Sequence, residues 1–92
     1  AGRRGAVAAA RRASVEAGLG MYERGGNAMD AAIAAAFVAG VVEPMETTLA
    51  GSGFLLVSDP RAAAPACVEF GPRAPAAARP DMYRIDTARS VD

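Results

Sequence analysis

The sequence predicts an α/β chain in which a helical hairpin is followed by an antiparallel β-hairpin. Three observations carry this prediction. An alanine-rich apolar run over residues 28–42 has a helix-start pattern before it and a proline after it. The pair Gly25-Gly26 separates this run from an earlier amphipathic segment. Two apolar runs of strand length, residues 54–58 and 66–70, flank a turn-forming segment.

The first helix of the hairpin is predicted over residues 15–24, with Ser14 as its N-cap. Val15, Leu19 and Tyr22 then share one face of the helix. Before it, residues 5–10 form a short apolar run, and periodicity cannot separate a strand from a helix over so few residues. We interpret this run as a strand.

The second helix is predicted to begin near Ala28. Asn27 can accept a hydrogen bond from a free backbone N–H, and Asp30 places a carboxylate at the positive end of the helix dipole. Pro44 disfavours helical backbone before it, so the helix should stop between residues 40 and 43. Because Asp30 is the only charged residue between positions 28 and 42, we expect this helix to be packed on more than one side.

The rest of the chain is predicted to contain two strands and several turns. The Gly51-Ser52-Gly53 sequence precedes a strand instead of opening a helix, so we interpret it as a tight turn with a close backbone neighbour and not as a phosphate-binding loop. Residues 59–61 read as a turn, and residues 73–80 should run extended. Pro80 could open another helix, whereas residues 85–92 have no clear period.

Composition excludes several classes of function. The ten arginines balance ten carboxylates, and no basic face argues for a nucleic-acid partner. Without histidine, the chain cannot supply a Ser-His or Cys-His nucleophile pair. A single cysteine excludes an internal disulfide and a cysteine metal cluster, and no metal site or cofactor is expected. Cys67 is flanked by apolar residues, which favours a small core residue over a reactive thiol.

Length suggests a piece of something larger. A chain of 92 residues buries only about two-thirds of its unfolded surface, which makes it hard to cover a helix on several sides. The chain begins at Ala1 without methionine, from which some processing or trimming is expected. The apolar run over residues 28–42 is too short to span a bilayer, and no signal peptide is visible after Arg3-Arg4. The compartment is left open between a bacterial cytoplasm and a periplasm.

Several motifs in a fixed order resemble the N-terminal part of the large subunit of the gamma-glutamyltransferase family. The similarity covers about the first 83 residues. In order, the matching motifs are Ala13-Ser14, Glu16-Ala17-Gly18, the run from Gly25 to Ala34, Glu43-Pro44, Gly51 to Gly53, Gly53 to Val57, Ala74-Pro75 and Pro80-Asp81-Met82.

The resemblance implies a four-layer αββα N-terminal nucleophile hydrolase whose precursor cuts itself into a large and a small subunit. In that family the nucleophile is the threonine exposed at the start of the small subunit, with its own amine as the base. We therefore expect residues 1–92 to be an incomplete domain without catalytic residues, and Thr47, Thr48 and Thr87 to have no such role. The expected partners are the remainder of the large subunit, the small subunit and a small-molecule amide or gamma-glutamyl substrate.

Two departures from the family pattern bear on the substrate. The family has an arginine three residues before the Ala-Pro, where it pairs with the α-carboxylate of the gamma-glutamyl group, but this chain has Gly71 there. Arg73 lies two residues further on and could reach a carboxylate from the same side of an extended segment, although Pro72 leaves its orientation open. The alternative role for Arg73 is a surface or inter-subunit ion pair. Residues 48–53 also replace a run of four glycines, so the resemblance favours a related amidohydrolase or acylase over a standard glutathione-cleaving transferase.

Two other interpretations remain open from the sequence. The chain could be a free-standing interaction module of a helical hairpin and a β-hairpin, which would fold cooperatively by itself. It could also be an inactive fragment of the family. An enzyme part would instead be poorly folded in isolation, because its alanine-rich helix and its strands need partners.

Overall fold

The computed structural model describes residues 5–83. Two helices, α1 (Arg12–Glu23) and α2 (Ala28–Val42), are followed by two strands, β1 (Phe54–Val57) and β2 (Ala66–Glu69). The predicted order of a helical hairpin and then an antiparallel β-hairpin is therefore confirmed. No helix of the described part of the chain is both long enough and apolar enough to cross a membrane.

Helix α1 begins earlier than predicted, and Ser14 is not its N-cap. The carbonyl of Arg11 accepts hydrogen bonds from the N–H groups of Ser14 (3.1 Å) and Val15 (3.2 Å), so Ser14 already lies in the first turn. Arg12 and Ala13 are good helix formers and extend the helix past the expected cap. Ser14 is fully buried, and its hydroxyl has no hydrogen-bond partner among the described residues.

The turn between the helices is a Schellman motif, as the Gly-Gly pair predicts. Gly25 has φ +87°, in the left-handed region that glycine adopts without strain. Its N–H donates to the Tyr22 carbonyl at 3.1 Å, and the Gly26 N–H donates to the Met21 carbonyl at 2.8 Å. These two hydrogen bonds satisfy carbonyls that the end of α1 would otherwise leave free.

Both ends of α2 are confirmed. The Asn27 side chain accepts a hydrogen bond from the Asp30 N–H at 3.0 Å, and the Asp30 carboxylate accepts one from the Asn27 N–H at 2.9 Å. This reciprocal pair is a capping box. Helix α2 ends at Val42, two residues before Pro44. Beyond that end, Glu43 accepts from the guanidinium of Arg11 at 3.2 Å, which joins the C-terminal end of α2 to the start of α1.

The helices pack through small residues. Gly18 of α1 and Ala31 of α2 are both buried. A Cβ atom on Gly18 would lie 3.0 Å from the Ala31 carbonyl oxygen and 2.9 Å from Val7. Residues 5–10, predicted to be a strand, are irregular and lie beside α1 instead. They form no strand because β1 and β2 pair with each other and neither pairs with this segment.

The β-hairpin is short and regular, with Phe54 opposite Glu69 and Val57 opposite Ala66. Its strands end one residue earlier than predicted, at Val57 and Glu69. The predicted turn after β1 is confirmed, because the Asp59 carboxylate accepts from the Arg61 N–H at 2.9 Å and the Asp59 carbonyl from the Ala62 N–H at 2.9 Å. This Asx turn reverses the chain toward β2.

Little of the described chain is buried. Among residues 5–83, the buried residues are Ser14, Gly18 and Ala31, all in the helical hairpin. The radius of gyration is 19.1 Å, whereas a compact domain of this length has about 12 Å. Cys67, predicted to be a core residue, is exposed. Apolar neighbours in the sequence suggested burial, but every residue of β2 is exposed.

After β2 the chain continues without regular secondary structure, and residues 73–80, predicted to run extended, are interrupted by a turn. The Ala78 N–H donates to the Pro75 carbonyl at 2.9 Å, which forms one turn in this segment. The helix predicted to open at Pro80 is absent within residues 80–83, where the Met82 N–H closes a turn on the Arg79 carbonyl at 3.2 Å. This hydrogen bond spans three residues, as in a turn, whereas an α-helix would need bonds that span four residues. Residues 85–92 and Thr87 lie outside the described part.

Candidate functional site

The candidate site lies at the open end of the β-hairpin, where β1 begins and β2 ends. The Phe70 N–H donates to the Gly53 carbonyl at 3.0 Å, one pair beyond the regular ladder. This bond sets the turn over residues 51–53 beside the segment over residues 71–73. The hairpin therefore brings together the two regions in which the sequence departs from the family pattern.

The Gly-Ser-Gly sequence forms the predicted tight turn. The Gly51 N–H donates to the Thr48 carbonyl at 3.1 Å, and a Cβ atom on Gly51 would lie 3.2 Å from that carbonyl oxygen. At Gly53 the close neighbour is a side chain, since a Cβ atom there would lie 2.8 Å from the ring of Phe70. A side chain would therefore be crowded by the backbone at Gly51 and by the end of the Phe70 ring at Gly53.

Arg73 is exposed and makes no ion pair with any other residue between positions 5 and 83. Its substrate-side role remains a prediction. Gly71 lies two positions before Arg73; apart from the chain neighbours of Gly71, the described atom nearest to a Cβ placed there is the Glu69 Oε1, at 3.9 Å. Sequence reasoning missed Glu69, although the alternation of positions 69, 71 and 73 along one side of an extended segment was a usable signal.

A second feature, an open cleft of about 450 Å³, lies between the start of α2 and the far end of the hairpin. It is apolar on its walls, with Met29 and Ala32 from α2 facing Leu55 and Val57 from β1, and it ends at the Asp59-Arg61 turn. Asp59 is six positions after Gly53, which is roughly 20 Å along an extended segment. The turn that ends the cleft and the segment that carries Arg73 are therefore at opposite ends of the hairpin, and no pattern in the sequence predicted the cleft.

Asp59 and Arg61 are bound to each other at the rim of the cleft. The Arg61 guanidinium donates to both carboxylate oxygens, with its terminal nitrogen 2.8 Å from Oδ2 and its Nε 3.0 Å from Oδ1. These bonds hold the pKa of the Asp59 carboxyl below its usual value and raise the pKa of Arg61. Residues 5–83 contain no group of three acidic, cysteine or histidine side chains placed to hold a metal ion.

Comparisons with known proteins place this geometry in a family. Residues 14–92 match the family model described as gamma-glutamyltranspeptidase. The glutathione hydrolase proenzyme of Bacillus subtilis subsp. natto is 37% identical over 90 residues, which are 98% of this chain and 15% of that relative. The corresponding proenzyme of Escherichia coli K12 is 33% identical over 91% of this chain and 14% of its own length. The chain thus spans about one-seventh of these relatives.

Solved structures of the same family superpose on the chain. A gamma-glutamyltranspeptidase from Pseudomonas nitroreducens gives a TM-score of 0.78 at 29% identity, covering 100% of this chain and 27% of that one. The transpeptidase enzyme CapD of Bacillus anthracis gives 0.71 at 29% identity, covering 78% of this chain and 25% of that one. The two helices followed by antiparallel strands are therefore a segment of the N-terminal nucleophile hydrolase fold that the resemblance implied. The chain belongs to the gamma-glutamyltranspeptidase family.

Proposed function

We propose that residues 1–92 are the N-terminal part of the large subunit of a hydrolase or acyltransferase. This enzyme cleaves an amide or gamma-glutamyl bond through an N-terminal threonine that lies outside this chain. The observation that carries the proposal is the family match over residues 14–92, together with relatives that are named proenzymes and are far longer. The chain contributes helices, strands and one edge of the substrate site, and it supplies no nucleophile.

The exposed apolar surface supports an origin in a larger assembly. The accessible surface is 8278 Å², whereas a compact protein of this mass exposes about 5,000 Å². Large apolar side chains are exposed on α2 and on the outer face of β1, where monomers rarely leave contiguous apolar surface. They include Ile33, Phe37, Val41, Phe54 and Leu56. The remainder of the precursor is the partner that would cover them.

Arg73 is the residue we assign to the substrate side of this enzyme. It is exposed beside the Gly-Ser-Gly turn, and a guanidinium binds carboxylates through paired charge-assisted hydrogen bonds. The position at which the family usually has this arginine is occupied by Gly71, which has no side chain. A carboxylate-binding arginine displaced by two residues favours an amidohydrolase or acylase with altered acyl-group recognition over a standard glutathione-cleaving transferase.

The experiment that tests the assembly is mass spectrometry of the full-length protein, under native conditions and then under denaturing conditions. A processed enzyme gives two chains held together natively, one of which begins with threonine. Turnover of amide and gamma-glutamyl substrates is then measured on the same sample. A single unprocessed chain without turnover would contradict the proposal. If residues 1–92 alone unfolded cooperatively as a monomer, the interaction module would explain the chain better.

The role of Arg73 is tested by substituting Arg73→Ala in the full-length enzyme. Losing a charge-assisted contact should raise the KM for carboxylate-bearing substrates by about ten-fold or more. Arg79→Ala is the matched control, because Arg79 is also exposed and lies 3.7 Å from Asp81 instead of in the site. Equal KM values for the wild-type protein and the Arg73→Ala variant would remove Arg73 from the site.

A further inference from the structure

The side chain of Glu43 ties the end of α2 to the start of α1. It accepts a hydrogen bond from the Arg11 Nε at 3.2 Å, and it is only 12% exposed, whereas the Arg11 side chain is 65% exposed. The residues before it hold the helix end weakly, because Gly40, Val41 and Val42 are all poorer helix formers than alanine. Since helix ends fray, this ion pair is a tertiary contact that keeps the last turn of α2 formed.

The backbone of Glu43 begins the connector, which we define as residues 43–53 between α2 and β1. Its carbonyl accepts hydrogen bonds from the N–H groups of Glu46 (3.0 Å) and Thr47 (3.1 Å). These bonds span three and four residues, so they form one tight turn immediately after α2. Glu43 therefore holds Arg11 with its side chain and the start of the connector with its backbone.

The middle of the connector runs over α2 at Gly40. A Cβ atom on Gly40 would lie 3.9 Å from the backbone nitrogen of Leu49 and 3.9 Å from the Cα atom of Thr48. The absence of a side chain at Gly40 lets the two backbones approach at this point. A displacement of the last turn of α2 would therefore also displace the connector that packs on it.

The far end of the connector meets the end of β2. The Gly51 N–H donates to the Thr48 carbonyl at 3.1 Å, and the Gly53 carbonyl accepts from the Phe70 N–H at 3.0 Å. The segment that follows Phe70 carries Arg73. Hydrogen bonds and backbone contacts therefore lead from the start of the connector to the segment of the candidate site.

We propose that Glu43 is a positioning residue of the enzyme, which acts through the connector and not by contact with the substrate. Held by Arg11, it fixes the place of the turn over residues 51–53 beside the segment that carries Arg73. This inference rests on the proposed function and adds a residue at the opposite end of the connector. A fixed turn need not be ordered when the substrate binds, so loosening the connector should weaken substrate binding more than it slows the chemical step.

The test measures KM and kcat of the full-length enzyme with an amide or gamma-glutamyl substrate. Glu43→Gln keeps the size of the side chain and removes its charge. KM should rise about three- to five-fold, the upper end of what a partly exposed ion pair contributes, with kcat changed by less than about two-fold. Exchanging the charges, Arg11→Glu together with Glu43→Arg, should return KM to within about two-fold of the wild-type value. An unchanged KM in an active Glu43→Gln enzyme would overturn the inference.

Two controls separate positioning from stability. Arg12→Gln removes an ion pair of the same type, with Glu16 at 2.6 Å, which lies within α1 and apart from the connector. Asn27→Ala weakens α2 at its other end by removing the acceptor for the Asp30 N–H at 3.0 Å. Both should leave KM at the wild-type value. If Asn27→Ala raised KM as much as Glu43→Gln at an equal loss of thermal midpoint, the effect would be one of stability and the inference would be wrong.

Amide hydrogen exchange gives a second measurement that does not need turnover. In Glu43→Gln the N–H groups of Thr47 and Gly51 should exchange about three- to five-fold faster than in the wild-type protein, whereas Arg12→Gln should leave their rates unchanged. Equal rates in the two variants would overturn the inference. If exchange were faster in Glu43→Gln but the wild-type protein turned over no amide or gamma-glutamyl substrate, the proposed function would fail while the role of Glu43 in fixing the connector would be supported.

Discussion

Two glycines of α1 test how the helical hairpin is packed. Gly18 faces the interior, and a Cβ there would lie 3.0 Å from the backbone oxygen of Ala31 and 2.9 Å from Val7. Gly20 lies on the same helix, and a Cβ there would meet nothing within 4 Å. The substitutions Gly18→Ala and Gly20→Ala therefore make the same chemical change in two different environments.

The expected magnitudes follow from two effects. Alanine is favoured over glycine inside a helix by about 0.8–1.0 kcal/mol, and this gain applies equally to both variants. Overpacking at Gly18 costs about 1–3 kcal/mol, because Val7 can move but the Ala31 carbonyl belongs to the backbone of α2. Gly20→Ala should therefore stabilise the protein by up to about 1 kcal/mol. Gly18→Ala should be less stable than Gly20→Ala by about 1–3 kcal/mol.

The assay is thermal unfolding of the full-length protein and both variants at one concentration and pH. The midpoint should be highest for Gly20→Ala and lowest for Gly18→Ala. Circular dichroism before heating checks that both variants keep the helix content of the wild type. If the two variants melted at the same temperature, the close approach of α1 and α2 at Gly18 would be refuted.

Two further predictions concern hydrogen bonds of the helix cap and the hairpin turn. Asn27→Ala removes the acceptor for the Asp30 N–H and should destabilise the protein by about 1 kcal/mol. Asn27→Ser keeps an acceptor and should lose less stability. Thermal unfolding midpoints of the two variants measure this difference, and identical midpoints would refute the cap. Asp59 should titrate below its usual pKa because Arg61 stabilises its charged form, so the contribution of this pair is present at neutral pH and is lost as the pH falls through the lowered pKa. NMR titration of the Asp59 carboxyl in the wild-type protein and in Arg61→Gln checks this. The substitution should return the Asp59 pKa toward its usual value, and the same Asp59 pKa in both proteins would show that the pair does not form in solution.

The helical hairpin was predictable because its boundaries depend on local chemistry. Asn27 and Asp30 satisfy N–H groups within three residues of themselves, and Gly25 supplies the positive φ that ends α1. Pro44 restricts the backbone immediately before it. Each of these effects acts over a single turn, so the residues that cause it are adjacent in the sequence.

The incorrect predictions depend on contacts that the sequence does not display. Ser14 has the right chemistry for a cap, but the helix begins two residues before it and Ser14 is buried. Residues 5–10 have the composition of a strand, yet a strand needs a partner, and both strands of the hairpin are paired with each other. Cys67 has apolar neighbours but lies on a strand that no other described element covers.

The candidate site was predictable in its parts but not in its arrangement. Arg73 and the Gly71 departure were recognised from the motif order, whereas the position of the Gly-Ser-Gly turn beside them follows from the hairpin register. That register depends on where the loop between β1 and β2 closes, and the Asp59-Arg61 hydrogen bonds form the turn at the start of this loop. The position of the Glu69 carboxylate near residue 71 is likewise a feature of the fold that the motif order does not display.

The ion pair between Arg11 and Glu43 places each charge at an end of its own helix that disfavours it. A cation at the start of α1 and an anion at the end of α2 both oppose the dipole of the helix that carries them. In the antiparallel hairpin, however, each charge also faces the favourable end of the neighbouring helix. Sliding one helix past the other by a single turn, about 5.4 Å, would break the 3.2 Å contact and leave both charges in their unfavourable fields. The pair therefore favours the observed register of the two helices over a register shifted by one turn.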